Sequence, residues 1–186
     1  MKKGQLTRQI ILDKAFELAC NHGIDEITYN GVAKAIGIAP QSMYRYIENI
    51  EDLKTSIIFQ YIHELLLNIE QKTEGYSRIE SLSQGIQALI SFKVSNLSFA
   101  DLFRDILKYK DNPSINEALE NLRQAHFILL ESFSPKIKLD EQLKEVLTKF
   151  LIGHFVVSIT HNEPEDKLKK TFEENLKYIL DGKVTN

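Results

Sequence analysis

The stretch VAKAIGIAPQSMYRYIENIEDL, Val32–Leu53, decides how the rest of this chain is read. It sets a small residue, Ala33, ahead of a glycine, Gly37, and an apolar Met43. Two helices that cross closely need a small side chain at the crossing. A glycine favours the positive φ of a tight turn, and an apolar residue on the second helix locks it onto the first. Ala33, Gly37 and Met43 meet these demands at the right spacing, and Val32, Ile36 and Ile38 add apolar contacts. The pattern predicts a helix-turn-helix. A plain αα-hairpin with a polar surface satisfies the same spacing and stays open on that ground alone.

Working outward, nearly every segment reads at helical period. Ile11, Leu12, Ala15, Phe16, Ala19 and Cys20 form one stripe, and Gly23 is the expected left-handed cap. Thr28 caps a short second helix to Ile36. Pro40 suits the first turn of a third. Asn49 caps a long fourth helix, with Glu51 and Asp52 in its positive first turn, and its stripe from Leu53 to Ile69 runs out at Gly75. Ser77 with Glu80 reads as a capping box for a fifth helix to about Val94, and Ser98 with Asp101 as another for the sixth. Asn112-Pro113 opens a seventh that ends before Ser134-Pro135. Asp140 opens an eighth, and a ninth follows Glu163-Pro164 and closes at Gly182. The expectation is an all-α protein of about nine helices with no strand. Residues 1–48 form a three-helix head, and the long helix opens a helical bundle over residues 49–186.

The bulk numbers narrow the function. The chain has 186 residues, a net charge of −3 and one cysteine. No disulfide framework is possible within it, and Cys20 reads as a small buried residue. A nucleic-acid role must rest on a local site rather than on overall charge. No apolar run reaches the ~18 residues of a membrane span, so a cytoplasmic protein is expected. The five histidines have no convincing metal spacing, and no phosphate loop, nucleophile elbow or paired carboxylate stands out. Neither an enzyme, a metal site nor a cofactor is expected.

The second helix of the motif carries Gln41, Ser42, Tyr44, Arg45 and Tyr46 on its outward face. Gln and Arg can bond base edges in pairs, and Ser and Tyr can bond bases or phosphates. Beyond the motif, Tyr44, Tyr46, Glu51 and Leu53 lead into the long helix. Together with Thr28, Val32-Ala33, Gly37-Ile38 and Met43, these residues closely resemble the N-terminal domain of the TetR (tetracycline-repressor-like) family of bacterial regulators. The resemblance covers about residues 5 to 55. It implies phosphate contacts from Thr28 and Tyr29, a base contact from Asn30, and a leading edge of the recognition helix at Pro40, Gln41 and Ser42. It also implies backbone contacts from Tyr44 and Tyr46, while Arg45 stands at a variable position. Two residues depart from the family pattern. Ile50 stands where many members carry a phosphate-contacting lysine. Gly31 lies inside a helix, where it costs about 1 kcal/mol against Ala. Residues 1–46 carry only a small positive excess, so affinity is expected to need two copies acting together.

In the bundle, the eighth helix is apolar on more than one face between Val146 and Ile159. That suits either a helix central to its own bundle or a dimer seam. The resemblance favours the seam, since TetR-like proteins pair through their last two helices, here 139–161 and 164–181. Leu168, Phe172, Leu176, Ile179 and Leu180 would complete a four-helix interface. The resemblance also implies a pocket for an unidentified small-molecule effector. Candidate lining residues are His63, Phe99, Phe103, Phe127 and His154, against the plainer reading that such residues are core. The function expected is a ligand-responsive homodimeric repressor on a palindromic double-stranded operator. The alternative is a TetR-like helical interaction protein that no longer reads sequence.

Overall fold

The computed structural model describes residues 6–75, 78–133, 140–161 and 163–184. Eight α-helices, one 3-10 helix and one small hairpin make up these residues. The helices are α1 (Arg8–His22), α2 (Tyr29–Ile36), the 3-10 helix (Pro40–Arg45), α3 (Ile50–Thr73), α4 (Arg78–Ser91), α5 (Phe99–Lys108), α6 (Pro113–Phe133), α7 (Glu141–Thr160) and α8 (Glu165–Val184). The all-α expectation holds. It needs one correction, because Lys93–Val94 (β1) pairs antiparallel with Leu97–Ser98 (β2). That pairing ends α4 at Ser91 and not near Val94.

The helix ends follow the side chains placed there. Thr7 and Thr28 each accept a hydrogen bond from a backbone N–H in the first turn of α1 and α2. Asn49 Oδ1 accepts from the Asp52 N–H at 2.8 Å, and Asp140 Oδ1 from the Leu143 N–H at 2.8 Å. Ser98 and Asp101 form a reciprocal capping box. Gly37 is left-handed at φ 81° and ψ 36°, as its place in the turn requires. Gly23 differs from expectation: its φ is 91° but its ψ is 156°, so the chain leaves α1 extended. The Ser77 box and the Ser134-Pro135 boundary lie outside the described residues.

Packing divides the chain into two compact units, Met1–Glu64 with Lys93–Leu119, and Leu65–Phe92 with Glu120–Asn186. The first unit takes in the start of α3 and the hairpin with α5 as well as the three-helix head. Its core holds Ile11, Ala15, Val32, Ala33, Met43 and Leu53, each with no exposed surface. Tyr61 of α3 is also buried and donates its hydroxyl to the Leu97 carbonyl. The hairpin turn lies over the end of α1, where the Asn96 N–H donates to the Cys20 carbonyl at 2.9 Å. Cys20 is buried, and burial pushes its thiol up to about 11.

The second unit is built on Phe127, Leu143, Leu147, Phe172, Leu176 and Leu180. Helix α7 buries Leu143 and Leu147 but leaves Val146, Ile152 and Val157 about half exposed, at 45%, 49% and 52%. Helix α8 is different. Its stripe of Leu168, Phe172, Leu176 and Leu180 is buried within its own unit. Its large exposed side chain is Tyr178, at 83%.

Candidate nucleic-acid interface

The head assembles its outward face from α2 and the 3-10 helix. Ala33 and Met43 are fully buried at the crossing, and the Gly37 N–H closes α2 by donating to the Ala33 carbonyl at 2.9 Å. The recognition segment is shorter and tighter than an α-helix. Ala39 has no side chain to cap it, and Pro40 occupies its first turn. The Ser42 N–H donates to Ala39 and the Tyr46 N–H to Met43, both three residues back. Side chains three apart therefore eclipse one another. Pro40, Met43 and Tyr46 form the inward row, half-buried, buried and half-buried. Gln41 and Tyr44 form the outward row, and Tyr44 is 62% exposed. Ser42 and Arg45 lie between, with Arg45 the more exposed. Tyr46 and Ser42 are thus less available than an outward α-helical face would make them.

The α2 residues divide in the same way. Thr28 is exposed, and its Oγ1 accepts from the Gly31 N–H at 3.1 Å, which leaves its own O–H proton to donate outward. Asn30 is exposed. Tyr29 is half-buried, its ring 5.0 Å from that of Tyr44, and its hydroxyl donates to the Ile47 carbonyl at 3.4 Å. Burial holds the Tyr29 phenol above its ordinary range. The Arg45 guanidinium lies 5.9 Å from the Tyr46 ring centre. The surface so formed offers amide, hydroxyl and guanidinium donors of the kinds that bond base edges and phosphates. Ile50 opens α3 with 38% of its surface exposed, an apolar side chain beside this polar face. Gly31 has a local reason: a Cβ there would sit 3.1 Å from Thr28 Oγ1, the capping atom itself.

Two residues that sequence reading left without a site role hold the far end of the recognition segment. Arg8 reaches from α1 to the Tyr46 carbonyl at 2.8 Å and to Asp52 through both its terminal nitrogens. The sequence signal was an arginine in the first turn of a helix that has no acidic residue there, a place where the helix dipole disfavours a cation.

The candidate effector residues fall in different places. His63 is exposed and lines an open groove of about 810 Å³ in the first unit, beside Arg8, Asp52, Phe59 and Glu117. Phe99 is buried in the same unit, 6.5 Å from Phe103. Phe127 belongs to the second unit's core. His154 packs edge-on to Phe172 at 5.4 Å, and its Nε2 lies 3.0 Å from the Leu168 carbonyl. A carbonyl only accepts, so Nε2 carries the proton there. Among the described residues, no group of three or more His, Cys, Asp or Glu side chains is placed to hold a metal ion. No helix among them is long and apolar enough to cross a membrane.

Comparison with solved structures places this architecture. A regulator from Saccharomonospora viridis, solved in complex with choline, superposes with a TM-score of 0.72 over 91% of this chain and 95% of its own, at 13% identity. A tetR-family transcriptional regulator from Streptomyces coelicolor superposes with a TM-score of 0.66 over 92% and 79%, at 15% identity. The fold is that of the TetR family. Among curated proteins, this TetR-like chain is 27% identical over 96 residues to an HTH-type transcriptional regulator of Staphylococcus aureus (strain USA300). The match covers 51% of this chain, which spans about half the length of that relative, 52%. No protein-family profile matches the sequence.

Proposed function

We propose that this protein is a one-component transcription regulator, a homodimeric repressor that binds a palindromic operator and responds to a small-molecule effector. One observation carries the reading. Gln41, Tyr44 and Arg45 stand exposed on a short helix whose inward row is locked by Met43 against the Ala33 crossing. In this reading the head, residues 1–48, contacts DNA. Thr28, Tyr29, Asn30, Pro40, Ser42 and Tyr46 frame the contact, with Thr28 and Tyr44 on phosphate. Residues 49–186 hold the effector and the dimer interface, and the protein acts in the cytoplasm, on cytoplasmic DNA.

Three further observations support parts of it. The similar S. aureus protein is an HTH-type transcriptional regulator. The S. viridis neighbour was solved with choline, which favours a small organic molecule as effector here. The exposed apolar side chains of α7 suit a seam. Val146, Gly153 and Val157 recur at helical spacing, and a Cβ at Gly153 would meet nothing within 4 Å. A partner helix could approach closely there. Two recognition helices would then enter successive major grooves about 34 Å apart. Effector and operator would oppose each other by about 1–3 kcal/mol of coupling, through α3, whose residues belong to both units.

The test is selection of duplexes from a random-sequence library by the purified chain, followed by sequencing. The expected result is an enriched palindrome whose binding is lost in the variant Gln41→Ala with Arg45→Ala. No enrichment at low salt from a folded dimer would sink the reading. It would favour instead a helical interaction protein, a role that the exposed Ile50 beside the motif already suits.

A further inference from the structure

The turn between the recognition helix and α3 is held by a polar clamp centred on Asp52. Arg8 Nη1 donates to the Tyr46 carbonyl at 2.8 Å and to Asp52 Oδ2 at 3.0 Å. Its Nη2 donates to Asp52 Oδ1 at 2.7 Å and to Ser56 Oγ at 3.0 Å. Asp52 Oδ2 also accepts from the Glu48 N–H at 2.9 Å. Three segments of chain therefore meet at one guanidinium: the start of α1, the carbonyl that caps the recognition segment, and the first two turns of α3. The fork of a guanidinium fixes both distance and plane when it meets a carboxylate with two bonds, which an ammonium cannot do.

None of these groups belongs to the exposed row of Gln41 and Tyr44. We propose that Arg8 and Asp52 are positioning residues for operator recognition. They set the angle at which the recognition helix leaves α3, without touching DNA. This rests on the operator-binding reading above. A site held to within about half an ångström keeps its specificity, and one whose supporting shell is loosened does not. The clamp supplies that shell at the end of the recognition segment farthest from the Gly37 turn. The Ile47 carbonyl, next in line, is held separately by the Tyr29 hydroxyl, so two successive carbonyls leaving the recognition helix are fixed from two different helices.

The sign of one substitution separates this role from the alternatives. Asp52→Asn removes a negative charge close to the DNA-facing surface. Simple charge repulsion predicts equal or tighter binding to every duplex. A positioning role predicts weaker binding to the selected duplex alone, by about ten- to a hundredfold, the size of one or two lost base readings. The experiment titrates the full-length chain against the duplex it enriches from a random library, and against an unrelated duplex of the same length. It is run at a temperature where circular dichroism finds wild type and variant equally folded. The expected result is a loss on the selected duplex with binding to the unrelated duplex unchanged or tighter. Equal affinity of wild type and Asp52→Asn for the selected duplex overturns the proposal, and so does a parallel loss on both duplexes. If Asp52→Asn does not fold, Arg8→Lys decides. It keeps the charge but cannot make the fork, so it must lose selected-duplex affinity while retaining unrelated-duplex affinity. A wild-type chain that enriches no sequence overturns the operator reading itself, an outcome distinct from failure of the clamp alone.

Discussion

In the first unit, two ion pairs join residues far apart in the chain, Arg8 to Asp52 at 2.7 Å and Lys108 to Asp25 at 2.8 Å, beside the local pairs Lys14–Glu17 and Lys108–Asp105. In the second, the ion pairs among the described residues, such as Arg123–Glu120, Lys144–Glu141 and Lys167–Glu163, join residues three or four apart, and a neutral partner takes the cross-helix bond, Lys169 Nζ donating to Gln87 Oε1 at 3.0 Å. Local pairs support a helix but do not fix one helix against another. Cross-element pairs do. The first unit thus uses ion pairs between elements to hold them in register. The second relies on the apolar cluster around Phe172 and leaves apolar side chains of α7 in water, a condition that a partner surface would relieve.

The largest effect that can break this contrast lies in the second unit's core. Phe172 is 2% exposed and touches Phe150 and His154 through its ring. Phe172→Ala is expected to lower unfolding free energy by about 3–5 kcal/mol, read as a fall in the urea midpoint by circular dichroism. A change under about 1 kcal/mol, the ordinary size of a point substitution, would mean the ring is not the packing centre described. Next in size is Val157→Glu on the exposed side of α7. Its effect on the isolated chain should stay within about 0.5 kcal/mol, as for other surface positions. For the proposed dimer, the dissociation constant should rise at least about tenfold, or 1.4 kcal/mol. Sedimentation velocity over a dilution series checks this. A sedimentation coefficient that is unchanged by the substitution across the series would place the seam elsewhere.

The contrast also explains what could be read from sequence. Thr28, Gly37, Asn49 and the Ser98–Asp101 box are local devices, in which the side chain and the backbone it serves lie within a few residues. Each is found where its pattern placed it. The apolar stripes of α1 and α3 were legible for the same reason. The Arg8–Asp52 clamp was not, because its partners are 44 residues apart and only the tertiary fold brings them together. The hairpin has strands of two residues each, too short for alternation to register. The tight 3-10 winding of the recognition segment depends on a missing cap at Ala39 as much as on Pro40, so an outward α-helical face was the natural but imperfect expectation. The burial of the α8 stripe in its own unit likewise depends on where Phe127 and Leu147 lie, which periodicity alone does not specify.

Acid titration sharpens the first half of the contrast. The Arg8 guanidinium, followed by the Glu48 N–H, holds the Asp52 carboxyl below the usual carboxylate range, against the opposing effect of burial. A depressed carboxyl stabilises the folded state at pH above its unfolded value of about 3.9 and loses that contribution as pH falls through its folded value. Asp52→Asn should therefore destabilise near neutrality and converge with wild type in acid. With the Arg8 side chain 43% exposed and that of Asp52 22%, solvent screening limits the difference to about 1 kcal/mol or less. Parallel stability curves from pH 7 down to pH 2 would show that the pair contributes nothing through charge.

The smallest expected effect is the most discriminating, because two terms of similar size cancel in it. Gly31→Ala should gain about 1 kcal/mol from helix propensity at an exposed position. The new Cβ would meet Thr28 Oγ1 at 3.1 Å, so the cap must shift, and a lost threonine cap costs about 1 kcal/mol. The net change should lie within about 0.5 kcal/mol of zero, the range of an ordinary surface substitution. The cancellation has its own test, since Thr28→Ala removes the obstructing oxygen and the cap together. In that background Gly31→Ala has nothing to displace and should recover the full gain of about 1 kcal/mol. A double-mutant cycle then reads a coupling of at least about 0.5 kcal/mol between residues 28 and 31. Zero coupling would mean that Thr28 moves aside freely and that the glycine in α2 has no steric basis in the cap. A coupling of the expected size would make Gly31 a condition of the Thr28 cap, and through it of where Tyr29 and Asn30 stand on the outward face.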